Sequence, residues 1–443
     1  MLYVVASFEE VTVKKSSIIL FSLVGLWLSG CGELETETSN LDAKQASAIA
    51  SFYNFKWAGE VYSNHCYGAE KTVDDQLLYT VGQLNGQNSV GRLDQVRIKD
   101  VETIDTPTGC IITYEATMPV AWGKPGEVPA DYELILPRDL SRDGVNTFID
   151  SYESRCLDWG AHDVDAGVFW YYYRPEKSIC KLEDEDVFRF PIEVTASPDE
   201  TEGMYPEYHK VWEDDALNVV AIFGKAKDGG GDGDIGVVGY GKFINLVKEE
   251  LRGQVVETVP ETLPNRAGVS TPEVTIRATL DDGKEVVVSV FLIEKVTRAP
   301  NSFWQRYESL TPTADYIIYN GHSGLGQNVR ALARRGEWSE GQYSIVFMNG
   351  CDTFAYIDSA LNDAHAEVNE DDPEGTKYLD IVANAMPSLF ISMPEATMAI
   401  MRGLLSYDDP MTYEEILKDI DDYEVALVTG EHDNEYEPSM SID

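Results

Sequence analysis

Two short apolar runs end in side chains suited to acyl-transfer chemistry. Tyr316-Ile317-Ile318-Tyr319 leads into Asn320-Gly321-His322-Ser323-Gly324, and Tyr343-Ser344-Ile345-Val346-Phe347-Met348 leads into Asn349-Gly350-Cys351. A thiol becomes an effective nucleophile when a neighbouring base takes its proton. A histidine delivered by the adjacent strand end is such a base, so His322 and Cys351 form the candidate catalytic pair.

The elements that must position this pair alternate between strands and helices. Leu217 to Phe223 reads as a buried strand, followed by a helix over 241–251 with Phe243, Leu246 and Val247 on one face. A hairpin is predicted next, its arms 274–280 and 286–293 joined by Asp281-Asp282-Gly283. Helix 302–309, strand 316–319, helix 328–335, strand 343–348, helix 378–385, strand 389–392 and helix 395–406 complete the series. Apolar strands separated by amphipathic helices specify an α/β fold with a mostly parallel sheet flanked by helices. Functional groups then collect at the carboxyl ends of the strands. One helix separates the His322 and Cys351 strands, which predicts that they are neighbours.

Upstream, aromatic and β-branched segments predict a smaller β-rich domain over 51–194, with Val168 to Tyr173 among its strands. The Pro- and acid-containing stretch 195–207 reads as a linker to an α/β domain over 208–430, and 431–443 as an acidic solvated tail.

A strand ending in histidine with glycine close behind, then a strand ending in cysteine, resembles the caspase and gingipain clan of cysteine peptidases. The matching residues are His322, Gly324 and Cys351. Ser323 follows the histidine where the clan usually has glycine, and Asn349-Gly350 precedes the cysteine where it usually has Gln-Ala or Glu-Ala. The resemblance implies a caspase-like sheet and an endopeptidase acting on peptide or protein substrates without a cofactor. Cys351 would form a thioester and His322 would protonate the leaving amine. The oxyanion would be held by backbone N–H groups of Cys351 and of Ser323 and Gly324. Gly321-His322-Ser323-Gly324-Leu325 also resembles the nucleophile elbow of α/β-hydrolases. That alternative makes Ser323 the nucleophile of an esterase, with His365 or His432 as its base. A third reading makes the chain a noncatalytic binding lipoprotein, with Cys351 a buried core thiol.

The N-terminal segment carries an address. Lys14-Lys15, the apolar stretch from Ile18 to Leu28, and Leu28-Ser29-Gly30-Cys31 occur in the order of a bacterial lipoprotein signal, whose lipobox this tetrapeptide resembles. The resemblance implies a signal peptide over 1–30, lipidation at Cys31, and a tether over 31–50 in the cell envelope. Gly32 lacks the aspartate that retains some lipoproteins at the inner membrane, which favours the outer membrane.

The 443 residues carry a formal charge of -43, and removal of 1–30 leaves it unchanged because Glu9 and Glu10 balance Lys14 and Lys15. A surface this acidic repels nucleic acid. Asp228 to Asp234 holds three aspartates among glycines, but Gly239 and Phe243 stand where a calcium loop needs its closing glutamate, so a turn and no metal site is predicted. Of the six cysteines, Cys66, Cys110, Cys156 and Cys180 cluster in the first half and predict two disulfides, leaving Cys351 unpaired.

Overall fold

The computed structural model describes residues 44–161, 164–324, 326–430, 435–440 and 442. The expected signal peptide, the lipidation site Cys31 and most of the tether lie outside the described residues, as does His432.

The N-terminal half contributes β1 (Gln45–Ser47), β2 (Ser51–Ser63), α1 (Ala69–Asn85), β3 (Ser89–Gly91), β4 (Arg97–Thr106) and β5 (Gly109–Trp122). It continues with β6 (Glu133–Pro137), α2 (Arg142–Cys156), α3 (Phe169–Tyr172), β7 (Val187–Pro191) and β8 (Glu193–Ala196). Strands β2 and β5 pair antiparallel along their lengths, from Ser51 opposite Trp122 to Ser63 opposite Cys110. Alternate residues of β2, among them Phe55, Trp57 and Val61, are buried, as the two-residue period of a strand requires.

The C-terminal half contains α4 (Tyr208–Val211), β9 (Ala216–Gly224), α5 (Ile235–Glu250), β10 (Val255–Val259), β11 (Glu273–Thr279) and β12 (Glu285–Ile293). After these come α6 (Asn301–Leu310), β13 (Tyr316–Asn320), α7 (Gln327–Arg335), β14 (Ser344–Asn349), α8 (Ala360–Val368), β15 (Leu379–Asn384), α9 (Met393–Leu405), α10 (Tyr413–Leu417) and β16 (Ala426–Thr429). One sheet runs in the order β1-β16-β15-β14-β13-β9-β12-β11-β10. Its centre, β12-β9-β13-β14-β15, is parallel, and both flanks are antiparallel. The sheet is therefore mixed, where a mostly parallel one was expected. The tight turn after β11 forces a hairpin on one flank, and on the other β16 returns antiparallel beside β15 after the chain has passed through α9 and α10.

Alternation divides the buried strands between two cores. Ile317 and Tyr319 join Val346, Met348 and the N-terminal layer on one face, while Tyr316 and Ile318 join Phe347, α5 and α9 on the other. The first core runs without a break from Phe55 and Trp122 to Ile381 and Leu427, so the boundary expected at 195–207 is not a gap in packing. The described residues from 44 onwards belong to one compact unit. No helix among the described residues is long and apolar enough to cross a membrane.

Several local expectations are corrected. Residues 379–384, read as helix, form β15 deep in the sheet, and 389–392, read as strand, form a turn entering α9. A strand buried on both faces lacks polar alternation, so its period does not separate it from a buried helix. Val168 to Tyr173, read as strand, contains α3, whose Phe169 and Trp170 are buried in the core shared with α1. Gln45–Ser47, placed in the tether, pairs as edge strand β1 with β16. In the expected tail, Tyr436 is buried against Tyr205 and Tyr208, and its N–H donates to Glu207. Only one of the two expected disulfides is formed, Cys156–Cys180, while Cys66 and Cys110 are free thiols in contact with one another. Cys351 is thus not the only unpaired thiol.

Candidate functional site

The two reactive residues are set in register by the strands that deliver them. Asn320 of β13 lies opposite Asn349 of β14 in parallel pairing, and each is followed by glycine and then by His322 or Cys351. The pairing continues one step past the strands, because Gly321 N–H donates to Asn349 O at 3.1 Å. A Cβ on Gly350 would approach Gly321 O to 2.7 Å and Ser323 N to 3.3 Å, so glycine is what lets these loops lie side by side.

A buried chain of polar side chains runs beneath both strand ends. Thr397 Oγ1 donates to Asn320 Oδ1 (3.1 Å), Asn349 Nδ2 donates to the same oxygen (2.9 Å), and Ser388 Oγ donates to Asn349 Oδ1 (2.6 Å). Ser388 Oγ also reaches Glu424 at 3.2 Å. Buried polar groups need such partners, and these partners tie β13, β14, α9 and the turn after β15 together.

His322 is exposed, with its carbonyl held by Tyr319 Oη (2.9 Å) and Asn328 Nδ2 (2.6 Å). Its Nε2 lies 3.0 Å from Ala226 O, just beyond β9, and Phe390 meets its ring edge-on at 5.1 Å. A carbonyl only accepts, so Nε2 carries the proton in this arrangement.

Cys351 is half-buried, with Sγ 3.8 Å from Ser388 O. Tyr171 of α3 lies within hydrogen-bonding reach of the thiol, and Tyr171 Oη donates to Asp352 Oδ2 at 2.5 Å. Asn85 Nδ2 donates to Asp352 Oδ1 at 2.9 Å. Asp352 has φ of 50°, the left-handed region that turns its carboxylate back into the interior. Burial and the neighbouring Asp352 carboxylate push the thiol up to about 12, and burial pushes the Asp352 carboxyl up to about 6. The thiol is therefore protonated at neutral pH. No hydrogen bond joins it to His322, whose ring nitrogen is engaged by Ala226.

Ser323 is buried, and the described N–H groups of Ser323, Gly324 and Cys351 carry no intramolecular hydrogen bond among the described residues. These donors belong to the two loops that flank the pair. Tyr356, which faces the thiol, also lines a cleft of about 460 Å³ with Leu78, Leu93, Trp170 and Arg330.

Of the two bases weighed for the rival serine arrangement, only His365 lies among the described residues. His365 is buried against Trp338, ring centroids 4.6 Å apart, with neither nitrogen hydrogen-bonded. The aspartates of 228–234 are engaged in structure. Asp234 caps α5 and also accepts from Ala226 and Lys227 N–H, Asp232 accepts from Val269 N–H, and Asp228 pairs with Lys295 and Arg298. The turn predicted there is a fastened one.

Tyr171, Asn85, Asp352, Ser388 and Glu424 were not anticipated from sequence. The only local signal was Asp352, next to the cysteine; the others come from distant segments. Comparison with protein-family models, curated proteins and solved structures found no match.

Proposed function

We propose that the chain is a lipid-anchored cysteine endopeptidase of caspase-like type, with Cys351 as nucleophile and His322 as proton-transfer partner. The observation that carries this reading is the register of Asn320 opposite Asn349, each one glycine away from a reactive side chain. It matches the clan pattern of histidine and cysteine at the ends of adjacent parallel strands. The thiolate would attack a peptide carbonyl, forming the S–C bond, while N–H groups of Cys351, Ser323 and Gly324 hold the oxyanion. His322 would protonate the amine as the C–N bond breaks, and water would then hydrolyse the thioester. For this, the His322 ring leaves Ala226 and turns towards the thiol, and the thiol sheds part of the burial that keeps it protonated. Catalytic hydrogen bonds commonly tighten only in the substrate complex.

The resting contacts give weight to a second reading, a noncatalytic binding lipoprotein in which the protonated Cys351 is structural. One experiment separates the readings: labelling with a peptide chloromethyl ketone and with a fluorophosphonate. Modification of Cys351 that is lost in His322→Ala supports the peptidase. Labelling at Ser323 establishes the esterase, and a chain that neither reagent modifies is the binding protein. The envelope anchor is tested separately, since Cys31→Ser should move the chain from the membrane to the soluble fraction.

A further inference from the structure

The turn between β15 and α9 touches both members of the candidate pair. Ser388 O lies against the Cys351 thiol, and Phe390 lies against the His322 ring. Yet the turn is not held by burying its own apolar residues, because Leu389 is 45% exposed and Ile391 78% exposed. What fastens it is Glu424. That carboxylate is fully buried and accepts from Leu389 N–H (3.2 Å), Ser388 Oγ (3.2 Å), Asn384 Nδ2 (3.4 Å) and Ser392 Oγ. No cation among the described residues offsets its charge. An unpaired buried carboxylate is costly to keep, and such groups concentrate at functional sites. The adjoining Val425 has φ of 48°, which is unusual for a β-branched residue and is the kind of backbone strain that persists where surrounding contacts impose it.

We propose that Glu424 is a positioning residue of the Cys351 site, clamping the 388–392 turn across the thiol and the imidazole. This rests on the reading of Cys351 and His322 as the reactive pair. The clamp sets how deeply the thiol is buried and where Phe390 stops the imidazole. The other titratable groups facing the thiol are Asp352, Tyr171, Tyr319, Tyr356 and Tyr423. None of them belongs to the turn, so releasing the turn changes the thiol's solvation while leaving these neighbours in the sequence.

The test measures iodoacetamide labelling of Cys351, mapped by peptide mass spectrometry across pH, alongside peptide hydrolysis, in wild type, Glu424→Gln and Ser392→Ala. Ser392→Ala removes one tie and keeps the carboxylate. The expected result is faster labelling at a given pH in both variants, by about tenfold in Glu424→Gln, as the labelling midpoint falls by about one pH unit. Hydrolysis should fall by about tenfold in the same proteins. Labelling profiles that superimpose on wild type in folded variants would overturn the clamp. So would a shift in Glu424→Gln with none in Ser392→Ala, because loss of charge alone would then account for it. If Glu424→Gln does not fold, Ser392→Ala decides by itself. A wild type that is labelled but hydrolyses nothing sinks the peptidase reading, and the labelling profiles still decide the clamp.

Discussion

Asn349 donates through Nδ2 to Asn320 Oδ1 at 2.9 Å, joining two fully buried amides at the ends of neighbouring parallel strands. This bond lies directly beneath the loops that carry Cys351 and His322. The relative position of the two reactive residues therefore depends on an interior hydrogen bond as well as on the sheet ladder.

Asn349→Ala should lower stability by about 2 kcal/mol, because Asn320 Oδ1 loses one of its two donors inside the core and Ser388 Oγ is left with Glu424 as its only side-chain acceptor. Urea unfolding checks the magnitude. Asn349→Asp should cost at least as much, since it buries a carboxylate and cannot donate to Asn320 when ionised.

Tyr171→Phe removes the hydroxyl that donates to the buried Asp352 carboxylate. A loss of about 2 kcal/mol above pH 6 is expected, where that carboxyl is ionised, with a smaller loss below pH 4, where it is protonated and can itself donate. The direction follows from linkage. Burial raises the folded carboxyl to about 6 from 3.8, and the Tyr171 bond opposes that rise, so removing the hydroxyl raises the folded carboxyl further and adds a cost in stability that is absent at low pH and appears as pH rises through 6. Unfolding curves of the variant and wild type across this window provide the measurement.

His365 supplies the opposite dependence. Burial holds its imidazole down at about 4, against 6.5 in the unfolded chain, so the unfolded state takes up the proton first as pH falls. Its contribution is full above 6.5 and falls by roughly 3 kcal/mol on the way to 4. His365→Phe keeps the stacking on Trp338 and removes two unpartnered ring nitrogens. The variant should be at least as stable as wild type at neutral pH and more stable near pH 4. An equal acid sensitivity of the two proteins would contradict this.

Cys66 and Cys110 should form a disulfide when oxidised glutathione is supplied, two thiols giving their electrons to the glutathione disulfide. Their thiols are already in contact, and burial pushes Cys110 up to about 11, so the reaction should accelerate as pH rises. A linked peptide containing both cysteines, absent from Cys66→Ser, is the expected observation in a proteolytic mass map.

The pairing of the strands that carry His322 and Cys351 was legible because it depends on local signals. Apolar runs, Asn-Gly endings and a single intervening helix are read within a few residues of the chain. The same local reading failed at 379–392, where a strand covered on both faces carries no polar alternation and the neighbouring apolar residues belong to a turn held by a carboxylate.

By itself, then, the sequence determined that a histidine and a cysteine arrive at adjacent strand ends in one α/β sheet. Only the tertiary structure decided what surrounds them. Asn85 and Tyr171 meet Asp352 across 267 and 181 residues of chain, and Glu424 reaches Ser388 across 36. Periodicity records which face of an element is buried, but contacts between distant segments arise only when those faces pack. They are also what keeps the Cys351 thiol protonated and turns the His322 ring towards Ala226.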